Sequence, residues 1–228
     1  MIALREAECC ALAGTDVRPL LLRRRASRPQ LKRDPLGGDI TLSTTFRVLP
    51  GLPPYGAPAI PCPRHWGHRG GEGFVVAFNA PDAEWVGNFG RGLSSKDAAL
   101  AHPDGRRVLV IAGGALYEVD PGRAEPIDVT DCCVTEILHI PDLNCFVFAR
   151  NHVSLMRWDA DGKHWDTGRI SWDGFAKLRA DGGRILGEAW SAPEDQWLPF
   201  EVHLETGETT GGAEQLPDYK KGRRLTSA

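Results

Sequence analysis

The sequence predicts an all-β protein made of short, repeated strands. Short apolar runs rich in β-branched and aromatic residues begin near Ile40, and turn sequences separate them. No later segment holds a helical period of 3.6 residues. The composition, with 42% hydrophobic and 25% charged residues, is that of a globular protein. A chain of 228 residues buries roughly 70% of its unfolded surface, so such a core needs neither disulfides nor a metal ion.

The predicted strands follow one another at hairpin spacing. The main runs are Phe74–Phe78, Trp85–Phe89, Val108–Ala112, Leu116–Val119, Val134–Ile140, Phe146–Ala149, Ser154–Trp158, Ile185–Trp190 and Leu198–Leu204. Turn sequences between them include Pro103-Asp104-Gly105, Asp120-Pro121-Gly122, Asp161-Gly162 and Asp181-Gly182-Gly183. Strands about 8–12 residues apart with such turns favour a sandwich, a barrel or a propeller.

A repeat of about 40 residues narrows these choices. The turn residues Gly105, Asn144 and Gly183 are spaced 39 residues apart, and so are the strand-ending acids Asp120 and Asp159. Units of this length with four short strands are typical of propeller blades. The sequence therefore predicts a small or incomplete β-propeller-like array of about four blades. The alternative is a twisted β-sandwich whose hairpins have similar lengths.

The predicted β-repeat domain covers residues 40–213, and its flanks differ from it in composition. All eighteen aromatic residues lie at or beyond Phe46, and residues 1–40 carry eight Arg or Lys against five Asp or Glu. A segment without aromatic side chains buries little area, so we expect residues 1–39 to be weakly ordered. Residues 214–228 contain two Lys and two Arg between positions 220 and 224, and we expect a basic, flexible tail there.

Charge and hydropathy argue against several function classes. The formal net charge of -3 provides no general attraction to nucleic acid, so a nucleic-acid partner is not expected. No stretch approaches the roughly 20 apolar residues of a membrane span, and no membrane partner is expected. Acids at Glu6, Glu8 and Asp16 interrupt any signal-peptide core, which favours a cytoplasmic location. Phosphate-loop, dinucleotide and nucleophile-elbow motifs are missing from the sequence, and we expect no cofactor.

Several segments resemble a group of uncharacterised bacterial proteins with propeller-like β repeats. These segments are Trp85-Val86-Gly87-Asn88-Phe89, His102-Pro103-Asp104-Gly105, Ile170-Ser171-Trp172-Asp173-Gly174-Phe175, Gly187-Glu188-Ala189-Trp190 and Pro199-Phe200-Glu201-Val202-His203-Leu204. The resemblance covers about residues 50–212. It implies a bacterial, propeller-like protein and assigns no activity or catalytic residue.

The lengthened hairpin around Trp197 is the predicted binding site. Most of the seven tryptophans are expected to pack between blades, because Trp offers a large area with one N–H to satisfy. Trp197 instead follows an acidic loop tip that contains Glu194 and Asp195. Loops of this kind carry recognition on rigid scaffolds. We therefore predict that these three residues contact a partner.

A second candidate is a metal site at Cys62, His65 and His68. A thiolate and two imidazoles at this spacing would provide three of the four ligands of zinc, with an Asp or Glu from elsewhere as the fourth. Against this hypothesis, the sequence contains no second paired ligand motif, and prolines at positions 61 and 63 favour an extended surface loop.

The function predicted from the sequence is a non-catalytic module that binds a protein or ligand through its blade loops. The alternative is an enzyme, a hydrolase or lyase, whose central site is assembled from separate blades. Such a site escapes local motif analysis. A central pocket with converging acids, histidine and arginine would favour the enzyme, whereas an exposed Trp197 would favour binding.

Overall fold

The computed structural model describes residues 45–63, 71–80, 83–130 and 133–213, and these form a series of short strands. The strands are β1 Thr45–Val48, β2 Ile60–Cys62, β3 Phe74–Ala80, β4 Ala83–Phe89, β5 Ala98–Ala101, β6 Val108–Ala112, β7 Ala115–Asp120, β8 Glu125–Thr130, β9 Val134–Ile140, β10 Cys145–Arg150, β11 Ser154–Asp159, β12 Gly162–Asp166, β13 Phe175–Asp181, β14 Arg184–Ser191, β15 Gln196–His203 and β16 Thr209–Gly211. A 3₁₀ turn, Pro141–Leu143, lies between β9 and β10. Among the described residues, no helix is long and apolar enough to cross a membrane.

These strands form four sheets of four strands, which resemble propeller blades. Blade A has the order β1-β3-β4-β2, and its last strand pairs parallel to its neighbour. Blades B, C and D are simple meanders of β5–β8, β9–β12 and β13–β16, antiparallel throughout. The predicted array of about four propeller-like blades is confirmed. Four sheets in series, rather than two face to face, exclude the twisted sandwich.

The turn residues of the predicted repeat are equivalent in the structure. Gly105, Asn144 and Gly183 have φ angles of 71°, 44° and 80°, and each lies in the hairpin between the first and second strands of its blade. This left-handed conformation favours glycine and, after it, asparagine. The conformation explains why these residue types recur at this position.

The same three hairpins differ in length. Six residues, 102–107, connect the paired strand ends in blade B, whereas four residues, 141–144, do so in blade C. In blade D the connection is residues 182–183 alone. The hairpins therefore shorten by two residues from blade B to blade C and again from blade C to blade D.

Three hydrophobic clusters hold the four blades together. They lie at the A/B seam, the B/C seam and the C/D seam, the surfaces between neighbouring sheets. Fully buried residues at their centres include Phe78, Phe89, Leu109, Phe148, Leu155 and Ile185. Alternation along each strand points one set of side chains at the preceding blade and the other set at the following blade. The predictions for residues 1–39 and 214–228 lie outside the described residues.

Candidate functional site

Each seam contains a tryptophan that donates its indole N–H to the neighbouring blade. The donor and acceptor residues are Trp85 and Pro121 at the A/B seam, Trp158 and His102 at the B/C seam, and Trp165 and Leu204 at the C/D seam, at 2.7, 3.0 and 2.9 Å. All three rings are buried. These tryptophans therefore pack between blades, as the sequence analysis expects.

The B/C seam is filled by a buried polar network from the six-residue hairpin. His102 is 2% exposed, and its Nε2 accepts the indole N–H of Trp158. Its Nδ1 lies 3.1 Å from both the carboxylate and the backbone N–H of Asp104. Because Nε2 accepts from Trp158, we assign the neutral tautomer protonated at Nδ1, which donates to the Asp104 carboxylate and leaves no acceptor on this ring for the Asp104 backbone N–H. Arg107 bridges Asp104 and the buried Glu118 with its guanidinium.

The network fixes the protonation of its members. Burial lowers the pKa of His102 below its usual value of 6.5, and the charge of Asp104 opposes this shift in part. Burial alone would raise the pKa of Asp104. Hydrogen bonds from the backbone N–H groups of Arg107 and Arg106 and from the Arg107 side chain outweigh burial and lower that pKa to about 2. The imidazole is therefore neutral and the carboxylate ionised near neutral pH.

We expect the stability of the protein to fall on mild acidification because of His102. Its folded-state pKa lies below the unfolded value of 6.5, so the unfolded chain binds more protons in the interval between them. The stability that neutral His102 contributes is thus lost as the pH falls below about 6.5. Asp104 has its effect at lower pH. The stability that its ionised form contributes is lost as the pH falls from the usual pKa of 3.8 towards the folded-state pKa of about 2. Urea unfolding between about pH 5 and pH 7.5 measures this slope.

The substitution His102→Gln removes the titrating group and should flatten the slope. His203→Gln, at an exposed histidine, is the matched control and should leave it unchanged. A slope that is equally steep in His102→Gln would show that another group is responsible.

At the position where hairpin side chains fill the B/C seam, the C/D seam contains an open space. The shorter hairpin of blade C leaves a cavity of about 420 Å³ between the two blades. Its walls are Leu143, Arg157, Gly182, Gly183, Arg184, His203, Leu204 and Glu205. The cavity therefore lies at the end of the blades that carries the first-to-second and third-to-fourth strand turns.

Arg157 is the most buried charged group of this cavity. It is 9% exposed and stands 39 residues after Glu118, at the corresponding place on the third strand of its blade. One Nη donates to the carbonyl oxygen of Leu204 at 2.9 Å, and the other lies 3.7 Å from the carboxylate of Asp159. The Nε atom is buried without a hydrogen-bond partner among the described residues. The guanidinium therefore has one unpaired donor among these residues, Nε, and it also lies against the buried thiol of Cys145, whose pKa burial raises and Arg157 lowers in part.

The acid, the histidine and the arginines in the cavity wall are the residue types that the enzyme alternative requires in a central pocket of the array. They lie instead at the seam between two adjacent blades. Arg184 is already paired with Glu201 at 2.6 Å, on the face of blade D that is turned away from blade C. The arrangement is that of a cavity with one buried cation.

The predicted binding residues form an exposed surface at the opposite end of blade D. This Trp197 surface consists of Trp172, Trp190, Glu194, Asp195 and Trp197. Trp197 is 43% exposed and packs edge-on against Trp190, with ring centroids 5.3 Å apart at 63°. Glu194 and Asp195 are exposed at the hairpin tip. The structure thus brings the three predicted residues together around an exposed ring.

Backbone hydrogen bonds hold the Trp197 surface in place. The strand pair that ends at Ser191 and Gln196 closes a four-residue loop, and the Gln196 side chain donates to Glu194 at 2.9 Å. The Trp172 N–H donates to the carbonyl oxygen of Trp190 at 2.9 Å. The surface is therefore pre-formed.

Among the predicted metal ligands, only Cys62 lies in the described part of the chain. It is buried in β2, packs in the A/B seam, and its thiol lies 3.5 Å from the carbonyl oxygen of Ile60. His65 and His68 lie outside the described residues, so the zinc hypothesis stays a prediction. Within the described ranges, no group of three His, Cys, Asp or Glu side chains is arranged to hold a metal ion.

Comparisons with known proteins bear on the fold. No protein-family model and no curated protein matches the sequence. Among solved structures, the chain is similar to dihydro-heme d1 dehydrogenase NirN in complex with DHE, at 16% identity and a TM-score of 0.38. The match covers 86% of this chain and 48% of the NirN chain, a part of a β-propeller. The chain therefore spans about half the length of that protein, and at this identity the likeness concerns the fold alone.

Sequence reasoning does not single out the cavity. Arg157 lies within an apolar strand and belongs to no motif. The only available signal is the repeat itself, which places a basic residue in blade C where blade B has Glu118. Using that signal requires the strand register, because the register gives the hairpin lengths. The hairpin lengths in turn decide which seam contains an open space.

Proposed function

We propose that this chain is a non-catalytic binding module that holds a partner protein on the Trp197 surface. The supporting observation is an exposed tryptophan that packs against a second tryptophan on a hydrogen-bonded hairpin. Trp is enriched at the energetic centres of protein interfaces, where it buries a large area at little cost in side-chain entropy. The resemblance to uncharacterised bacterial proteins and the cytoplasmic location are parts of this proposal.

The surrounding charges indicate what kind of partner fits. Glu194 and Asp195 make the tip acidic, while ion pairs such as Lys177–Glu188 at 2.7 Å cover the adjoining face of blade D. A matching partner presents an apolar pocket for Trp197 with a basic rim. Charge complementarity of this kind favours fast and selective association.

The test is capture of host-cell proteins by the tagged full-length chain, followed by a titration with the purified partner. The double substitution Trp197→Ala, Glu194→Ala should weaken the complex by about 30-fold, because a central aromatic residue contributes about 2 kcal/mol or more. Tyr55→Ala, at an aromatic residue 90% exposed in the segment between β1 and β2, is the control and should leave the affinity unchanged.

Two results would contradict the proposal. A partner that binds the double variant as tightly as the natural sequence uses another surface. If no partner is retained at all under gentle conditions, the protein-binding role is wrong, and the enzyme alternative becomes the one to test with small-molecule substrates.

A further inference from the structure

We infer that the cavity at the C/D seam binds a small organic monocarboxylate with an apolar body. The inference stands apart from the proposed protein-binding role, because the cavity and the Trp197 surface lie at opposite ends of blade D. It rests on the size of the cavity, the state of Arg157 and a comparison between the seams.

The size and lining suit a small molecule. A volume of about 420 Å³ lies within the range of roughly 300–1,000 Å³ that is usual for ligand pockets. Leu143 and Leu204 contribute apolar wall, while Gly182 and Gly183 expose backbone in place of side chains. Apolar walls with a few polar groups are the usual composition of such sites.

The comparison of the seams shows what the cavity lacks. At the B/C seam, the buried acid Glu118 receives an opposite charge from Arg107 of the hairpin. At the C/D seam the charge is reversed, because the buried residue is Arg157. The hairpin of blade C provides no negative charge opposite Arg157. The one acid of that hairpin, Asp142, is exposed and is not part of the cavity wall.

Arg157 is suited to a carboxylate from outside. Its nearest carboxylate, on Asp159, is 3.7 Å away and also lies 3.2 Å from His164, so the pairing is loose. Guanidinium groups bind carboxylates through parallel N–H donors, and burial strengthens such bonds. A bound carboxylate thus takes the place opposite Arg157 that the guanidinium of Arg107 takes opposite Glu118 in the B/C seam.

The charges around the cavity favour a ligand with no more than one negative charge. Arg157 is the buried cation of the cavity, because the Arg184 side chain is paired with Glu201 on the other face of blade D. Glu205 in the wall and Asp159, 3.7 Å from Arg157, reduce the positive potential. A doubly charged phosphate ester would therefore be repelled more strongly than a monocarboxylate.

The experiment is a ¹H–¹⁵N NMR titration of the full chain with phenylacetate, beside phenylacetamide of the same shape. We expect phenylacetate to shift the amide signals of Gly182, Gly183 and Glu205 saturably, and phenylacetamide to bind at least about tenfold more weakly. Leu143→Trp, at a half-exposed side chain, fills the cavity and should abolish the shifts. Arg179→Gln, on the same blade outside the cavity, is the control and should leave phenylacetate binding unchanged.

Arg157→Lys tests the central contact, because lysine keeps the charge and loses the two-donor edge. We expect at least a tenfold loss of phenylacetate affinity with the spectrum otherwise folded. If this variant does not fold, Leu143→Trp still decides the matter. Equal binding of acid and amide, tighter binding of phenyl phosphate than of phenylacetate, or unaltered shifts in Leu143→Trp would each overturn the inference. Partner capture by Leu143→Trp should be normal, which separates this result from a failure of the protein-binding role.

Discussion

Replacing Trp158 with alanine should lower the free energy of unfolding by about 3–5 kcal/mol. The ring is 3% exposed in the cluster of the B/C seam, so the substitution leaves a large cavity. It also removes the indole N–H on His102 Nε2 and leaves a buried acceptor unpaired. Urea denaturation followed by circular dichroism measures the loss.

Trp197→Ala is the matched control for this substitution. Trp197 is half exposed and loses chiefly its edge-on contact with Trp190, which contributes about 1 kcal/mol. A loss in Trp158→Ala no larger than in Trp197→Ala would mean that the B/C seam does not hold the array together.

Replacing Arg107 with leucine should cost about 2–4 kcal/mol, because Glu118 then remains buried without a cation. Glu118 is 5% exposed, and its other neighbour, His102, is kept neutral by burial. The carboxylate of Glu118 should respond by binding a proton. The loss in this variant should therefore shrink as the pH is lowered towards about 5, opposite to the effect of His102.

The double substitution Arg107→Leu, Glu118→Leu completes the test. Removing both members of a buried pair is much less costly than removing one, so the double variant should be more stable than Arg107→Leu alone. Additive losses in the two single variants would show that the two side chains do not interact in solution.

The second and third strands of the blades are the part of the fold that the sequence predicts well. The runs Val108–Ala112 and Ser154–Trp158 coincide with β6 and most of β11, because both faces of these strands are buried and apolar residues predominate in both runs. The repeat fixes their order and the left-handed turn residues. From these two elements alone the class of the fold follows.

The last strands of blades C and D escape prediction for the opposite reason. β12, Gly162–Asp166, and β16, Thr209–Gly211, lie at sheet edges, where one side of the strand is unpaired and the faces are partly solvated. Polar residues are tolerated there, so the apolar signal is lost.

The Trp197 surface and the cavity also differ in how well the sequence predicts them. Trp197 could be singled out because a lengthened hairpin is visible as an interruption of the repeat. The cavity depends on two residues missing from the hairpin of blade C and on a charge reversal at Arg157. Both are relations between blades rather than local patterns, and only the register of neighbouring strands reveals them.

The serial arrangement of the blades has a consequence for local opening. Within the described part of the chain, blades B and C each share a core cluster with two neighbours, whereas blade D shares one with blade C alone. In linear arrays of this kind stability is a sum of unit and nearest-neighbour contributions, so amide hydrogens of β14 should exchange faster than those of β6 and β10. Blade A likewise shares one cluster, with blade B, and blade D is the terminal blade that carries the Trp197 surface. A partner bound there would slow exchange in blade D first, and the protection would spread inward through the C/D seam.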